Sequence, residues 1–317
     1  MTAHRKVYVG IDVSKARLDI AIDGTSEHWS IANEESAIGA LIKRLGELGE
    51  CHVVMEATGG LERLAATSLM AAGLAVSVVN PRHVRDFARA TGVLAKTDRL
   101  DAFTLAAFAR RVTPPVRALK DEACRAFEAL LARRRQLVEM RVQEKLRLHG
   151  AAANVKRDIS AHIKWLDKRI DDAEDELGKQ LAASEAWREK DQLLQSIPGV
   201  GKLTSQTMLV RMPELGRING KEIAALAGTA PMARDSGKHR GQRFITGGRA
   251  DVRAALYMSA LSALRFNAQI KEFAKRLKGA GKPHKVVMVA CMRKLLTIMN
   301  SMIKSNQRWG ENMAQSA

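Results

Sequence analysis

The first hundred residues alternate between short apolar runs and amphipathic stretches. Lys6-Val7-Tyr8-Val9 leads into Gly10-Ile11-Asp12-Val13-Ser14-Lys15, and its β-branched and aromatic content predicts a buried strand over 6–12. Leu18-Asp19-Ile20-Ala21-Ile22 alternates, predicting a strand over 17–22 in which Asp19 faces solvent. A third strand is expected over 27–31. A helix over 34–48 follows, with Asn33 as its cap. Next come a strand at Val53–Glu56, a helix over 60–72 and a strand at Ala75–Val79. Asn80-Pro81 ends that strand, and Pro81 suits the first turn of another helix. A helix over 98–111 closes the region.

The pattern changes after Thr113-Pro114-Pro115, which reads as a linker. Ile159, Ile163, Leu166, Ile170, Ala173, Leu177 and Leu181 recur at spacings of four and three. That is a coiled-coil seam, serving either an intramolecular helix pair or a dimer. Val116–Leu148 is a second long helical pattern, with Leu119, Ala123, Phe127 and Leu130 on one face. His149-Gly150 marks the bend of a helical hairpin. From Asp191 onward the chain reads as compact and helical, with an Ala-rich helix over 251–265 and Val286–Ala290 as core. The expected domains are 1–115, 116–190 and 191–317. Three early strands on short turns, then alternating helix and strand, predict an α/β RNase H-like first domain. A helical coiled-coil middle and a mostly α-helical end follow it.

Charge narrows the function. The formal net charge is +18, and such an excess favours a polyanion, nucleic acid first. Aromatics are only 4 %, so the cores must rest on Ala- and Leu-rich helix packing. Cys51, Cys124 and Cys291 are far apart, with no zinc-like spacing. Three free thiols suit a reducing cytoplasm, and the chain opens directly into a strand without a signal peptide. No apolar run reaches the ~18 residues of a membrane span, so none is expected.

Four carboxylates stand in matching settings. Asp12 lies in the first strand, where a buried acid is costly without a partner. Glu56 ends the fourth strand before Gly59-Gly60, and Asp98 and Asp101 share one face at a helix start. Hard oxygen ligands on separate rigid elements are what a divalent-metal phosphodiester site needs.

Other motifs leave two readings open. Pro198-Gly199-Val200-Gly201-Lys202 is either the hairpin of a helix-hairpin-helix module or a Gly-rich connection. Ser236 precedes Gly237 among Arg234, Lys238, His239, Arg240 and Arg243. Cations there favour a serine alkoxide attacking phosphorus; alternatively, the loop binds DNA and its serine caps a turn. His239 is as readily a phosphate contact as a base. Arg133-Arg134-Arg135, continued by Arg141, Lys145 and Arg147, is a solvated run or a backbone-binding face. Lys271–Lys294, with eight basic residues and one acid, is another candidate face. Candidate nucleic-acid contacts are thus Gly199, Gly201 and Lys202, then Arg234, Lys238, Arg240, Arg243 and Arg249, and Arg133 and Arg134.

Taken together, these motifs resemble the DEDD-type transposases of bacterial insertion sequences, the bridge-RNA-guided recombinases. Gly10–Lys15, Met55–Gly59 and Lys96–Ala102 match the N-terminal domain; Pro198–Gly201, Gly228–Pro231, Ser236-Gly237 and Gly247-Gly248-Arg249 match the C-terminal one. The resemblance implies Mg²⁺ on Asp12, Glu56, Asp98 and Asp101. It implies Ser236 as a nucleophile that becomes covalently linked to DNA, in a composite site formed with the metal domain. It further implies donor and target DNA chosen by a structured guide RNA, and a homo-oligomer, dimer or tetramer. Two alternatives remain: a structure-selective endonuclease using the metal site and water, and a non-catalytic nucleic-acid scaffold whose acids pair with arginines such as Arg99.

Overall fold

The computed structural model describes residues 6–116, 121–237 and 240–310. Leu119, Lys238 and His239 lie outside the described residues. The chain divides into two compact units, Met1–Lys120 and Asp121–Ala317.

The first unit follows the hydrophobic pattern closely. Its elements are β1 (Val7–Val13), β2 (Arg17–Ile22), β3 (His28–Ala32), α1 (Glu35–Glu47), β4 (Cys51–Glu56), α2 (Arg63–Ala71), β5 (Ala75–Val79), α3 (Pro81–Ala90) and α4 (Asp98–Val112). The five strands form one sheet in the order β3-β2-β1-β4-β5. β1, β2 and β3 pair antiparallel, as tightly connected strands can. β1, β4 and β5 pair parallel, with helices supplying the crossovers. Ile11, Leu18, Val53 and Met55 share a core with Ile38 and Leu45 of α1 and Leu69 of α2. Val54 packs instead with Val84 of α3 and Leu105 and Phe108 of α4.

Gly10 decides how close α4 comes. A Cβ there would collide with the α4 backbone at Ala102 and Ala106. Only the missing side chain lets the helix lie directly on β1. α3 opens as expected: Pro81 holds the first position, and the Arg82 N–H donates to Asn80 Oδ1 at 2.9 Å.

Two expectations fail here. Asn33 does not cap α1, whose N-cap is Glu34 without a side-chain bond. Asn33 Nδ2 instead donates to the carbonyls of Ser14 and Leu61, at 3.0 and 3.2 Å. Asp19 does not face solvent; it is 3 % exposed. β2 lies between β1 and β3 and is covered on both faces, so alternation carries no solvent side. Arg17 Nε at 3.0 Å and Ser30 Oγ at 2.5 Å compensate the buried carboxylate.

The second unit begins with α5 (Glu122–Gly150) and α6 (Ala153–Ala182), joined at Ala151-Ala152, just past the expected bend. Ile163, Leu166, Ile170, Ala173, Leu177 and Leu181 are buried, as the seam requires. Leu166 and Ile170 pack on Leu137, and Leu177 and Leu181 on Phe127, so the seam meets a helix of its own chain. Then come α7 (Glu185–Gln195), α8 (Lys202–Arg211), α9 (Gly220–Leu226), β6 (Pro231–Met232), β7 (Phe244–Ile245), α10 (Ala250–Phe266), α11 (Ala268–Gly279) and α12 (His284–Ser305). Met288, Cys291, Leu295 and Met299 of α12 form the spine of this core, against Leu256 of α10 and Met208 of α8. By length and composition α12 is apolar enough to cross a membrane, counter to the expectation that no run is, yet half of its most apolar stretch is buried in the fold. Of Val286–Ala290, Val287 and Met288 are core, whereas Val286 is exposed.

Candidate functional site

Asp12 and Glu56 end neighbouring parallel strands. The register pairs Ile11 with Met55, so the two acids stand side by side at the carboxyl edge of the sheet. Asp98 and Asp101 occupy the first turn of α4, where the helix N-terminus favours negative charge. Thr97 caps that turn, its Oγ1 accepting the Leu100 N–H at 3.2 Å. Gly10, two residues before Asp12, brings this helix onto β1.

The charges register one another. Burial, then Asp101 and Asp98, pushes the Asp12 carboxyl from 3.8 up to about 6. Burial, then Asp12 and Asp101, raises Glu56, while Arg85 and Lys96 oppose the rise. Asp101 is raised by burial and by Asp98, against Lys96 and Arg85. Three elements therefore direct like charge at one place.

Nearby loops are fixed. Glu62 Oε2 accepts from the Thr58 N–H, the Thr58 hydroxyl and the Gly60 N–H, at 2.9–3.0 Å, shaping the turn after Glu56. The Asn33 amide ties the turn after Asp12 to Leu61.

Two further residues join this centre: Asp19, which the sequence pattern set facing solvent, and Arg17, which it did not single out. Asp19 sits directly across β1–β2 from Asp12. Arg17 spans Asp19 and Asp98, its Nη2 lying 2.9 Å from Asp98 Oδ2. The Arg17-x-Asp19 spacing was the available signal, since i and i+2 share a strand face. Among the described residues, no three of His, Cys, Asp or Glu are arranged to hold a metal ion. Asp98 is engaged by Arg17 instead. The donors still fit a hard divalent cation: all are carboxylates, and their mutual repulsion is what such an ion relieves.

Ser236 belongs to the second unit. It lies on the loop between β6 and β7, which pair Pro231 with Ile245 and Met232 with Phe244. The loop root is pinned. Gly228 and Gly248 have φ of +68° and +66°, and a Cβ on Gly248 would strike the Gly228 backbone. The Arg249 N–H donates to Leu226 O at 3.0 Å, and Arg253 Nη1 to Gly247 O at 2.6 Å. Ser236 itself is exposed. Its neighbour Asp235 accepts the Gly241 N–H at 3.2 Å and pairs with Arg243 at 3.3 Å. Asp235 thus shapes the loop.

The candidate nucleic-acid contacts separate into engaged and exposed groups. Arg249 makes a bidentate pair with Glu214, both bonds 2.7 Å, and donates to Arg211 O, which is structural work inside the fold. Arg134 holds Glu174 of α6 at 2.8 Å, whereas Arg133 is exposed. Gly199, with φ +101°, would place a Cβ 2.6 Å from Ala263 Cα, so it serves close packing on α10. Gly201 is open and caps α8, and Lys202, Arg234, Arg240 and Arg243 are exposed.

A DEDD-type IS110 transposase model matches residues 9–155, and a model of the IS116/IS110/IS902 transposase family matches residues 191–275. The chain is similar to the pilin gene-inverting proteins of Moraxella bovis and Moraxella lacunata, each 28 % identical over 313 residues. Those alignments cover 95 % of this chain and 97 % of each relative. It is 25 % identical over 199 residues to an insertion element IS116 protein of Streptomyces clavuligerus, covering 60 % of this chain and 46 % of that one. The two matches follow one another along the chain and together span most of it, so the chain belongs to the IS110/IS116/IS902 transposases, enzymes that cut and rejoin DNA.

Proposed function

We propose that this transposase moves an insertion sequence by joining Ser236 covalently to DNA, with Mg²⁺ held by Asp12, Glu56, Asp98 and Asp101. The observation that carries the metal half is the placement of Asp12 and Glu56 on adjacent parallel strands with Asp101 and Asp98 on the first turn of α4, close enough for their charges to raise the Asp12 carboxyl. We read the first unit as RNase H-like, on its β3-β2-β1-β4-β5 order. When bound, the metal would supply Lewis-acid stabilisation of the phosphodiester. The chain's own residues divide the remaining work. Gly10 and the α4 cap place the carboxylates, and Asp98, now paired with Arg17, would be a ligand to the ion once that pair opens. Ser236 Oγ attacks phosphorus; an Oγ–P bond forms as the P–O bond to the leaving strand breaks, and the serine proton ends on the freed strand hydroxyl. Attack by a strand hydroxyl then reverses the linkage, so rejoining needs no outside energy source.

The exposed Arg234, Arg240 and Arg243 border this chemistry and favour an anion. We read Pro198–Lys202 as a helix-hairpin-helix phosphate contact in which Gly201 and Lys202 face the ligand and Gly199 packs. We read the α5–α6 pair as the coiled coil; in the basic run on α5, Arg134, Arg135, Arg141 and Arg147 pair with acids of the pair, so exposed Arg133 and Lys145 are the cations that run offers to a nucleic-acid backbone. Donor and target DNA complete the reading, supported by the +18 charge and the family; a structured guide RNA and a homo-oligomer rest on the resemblance alone.

Relatives named for inverting a gene favour exchange and rejoining over simple hydrolysis. The test is a labelled DNA substrate on a denaturing gel. Wild type in magnesium should yield a protein-linked DNA species, and Ser236→Ala none. Cleavage that persists in Ser236→Ala without such a species would identify the water-using endonuclease instead. Sequencing the nucleic acid that copurifies tests the guide RNA.

A further inference from the structure

Beside the serine loop, the second unit holds a cavity of about 910 Å³. Its apolar walls are Phe244 and Ile245 of β7, Tyr257 of α10, and Val286 and Val289 of α12. Its basic groups are Arg243, Lys285 and Arg293, and among the described residues no acid lines it. Phe244 and Tyr257 are 56 % and 42 % exposed, in a chain with few aromatics. Among the described residues neither ring stacks on another.

We infer that this cavity receives one unpaired DNA base, stacked against Phe244 and Tyr257, with its flanking phosphates on Arg243, Lys285 and Arg293. The inference rests on the reading of Ser236 as the DNA-linked nucleophile, because the same two short strands root the Ser236 loop and wall the cavity. Charge selects the occupant: cations without a lining acid reject an acidic or mixed peptide and accept a polyanion. Shape selects further. The volume is that of a small-ligand pocket, too small for a duplex but open to one base taken out of the stack. An aromatic face binds any base, so the site would hold the strand near the serine without reading sequence.

The test is equilibrium binding to the full chain carrying Ser236→Ala, in EDTA, so that nothing is cut. The probes are DNA hairpins with one extrahelical thymidine, with an abasic sugar-phosphate in its place, or fully paired. The thymidine bulge should bind about tenfold more tightly than the abasic bulge. Tyr257→Ala, on a helix outside the hairpin, should bring that ratio towards one, and Tyr257→Phe should preserve it. A ratio near one in the parent protein overturns the proposal, as does a ratio that Tyr257→Ala leaves unchanged. A larger base dependence with the all-RNA hairpin overturns the assignment to DNA. Because no cleavage is involved, this result stands apart from the fate of the serine–DNA linkage.

Discussion

The two candidate centres are built in opposite ways. The carboxylates ride on strand ends and a capped helix, with Asp12, Glu56 and Asp101 half-buried and pressed together against their mutual repulsion and Asp98 exposed at the rim. Ser236 rides on an exposed loop with only two residues of strand on either side. The first centre gains its geometry from a core; the second gains it from a glycine-pinned root and one ion pair. A site of repelling charges needs rigid support, since each acid would otherwise swing into water. The nucleophile we propose at Ser236 would need access to a large substrate instead, and the loop trades support for exposure.

The contrast is broken most severely at Gly10. Gly10→Ala places a methyl group against the α4 backbone. Neither element can move without opening the sheet's second core, so we expect a loss of about 3–5 kcal/mol or failure to fold. Urea denaturation of the purified chain measures it. A near-neutral result would show that α4 can stand off β1, and that the carboxylates do not depend on this contact.

Gly248→Ala is the corresponding cut in the second centre. It combines a positive φ with a collision at Gly228. The loop root is nearer the surface and can yield, so about 1–3 kcal/mol is expected. The covalent DNA species should fall more steeply than stability does. Equal effects on both would mean the root supports the fold and not the loop.

The same difference governs what the sequence reveals. Strand and helix positions of the first unit follow from apolar periodicity; Asp12 and Glu56 are legible because an acid on an apolar strand is costly, and Asp98 and Asp101 because their spacing puts both on one face at a helix start. Asp19 escaped because alternation presumes one wet face, and β2 from Leu18 to Ile22 has none; Arg17 is exposed and reads as an ordinary surface cation. Asn33 read as a cap because its residue type suits one; its bonds to Ser14 and Leu61 are long-range and leave no local mark. In the second unit the seam on α6 is periodic and legible. Ser236 is not, since a Gly-rich basic loop has no period, and only the family resemblance singles it out. That Arg249 is engaged by Glu214 while Arg243 reaches a cavity depends on contacts between distant segments.

Charge gives the next test, with an effect of intermediate size. Asp12 titrates near 6 in the fold against 3.8 as a free side chain, so the folded state holds its proton more tightly. In EDTA its contribution to stability is therefore fully present below about pH 4, falls as pH rises to about 6, and is flat above. Glu56 and Asp101 shift in the same direction. Asp12→Asn should flatten part of this slope and raise stability at pH 7.5 by about 1–2 kcal/mol, after allowance for solvent. Magnesium should raise the melting temperature of wild type more than that of the variant. An Asp12→Asn protein less stable than wild type at pH 7.5 would mean that the carboxylate is compensated in the fold.

Asp235 gives the smallest effect and the closest comparison, an aspartate lost from the other centre. It accepts the Gly241 N–H and pairs with Arg243, in a setting where both side chains meet water. Exposed pairs contribute little, so Asp235→Ala should change global stability by less than about 0.5 kcal/mol. Its effect should be local: faster proteolysis or amide exchange across 233–243, and a several-fold drop in the covalent DNA species. Asp235→Asn keeps an acceptor for Gly241 but loses the charge opposite Arg243, and should fall between. Removing an acid thus stabilises the first centre and loosens the second. If Asp235→Ala abolished the covalent species as completely as Ser236→Ala while leaving loop exchange unchanged, the carboxylate would be acting on the serine hydroxyl, and its role as a clasp within the loop would have to be given up.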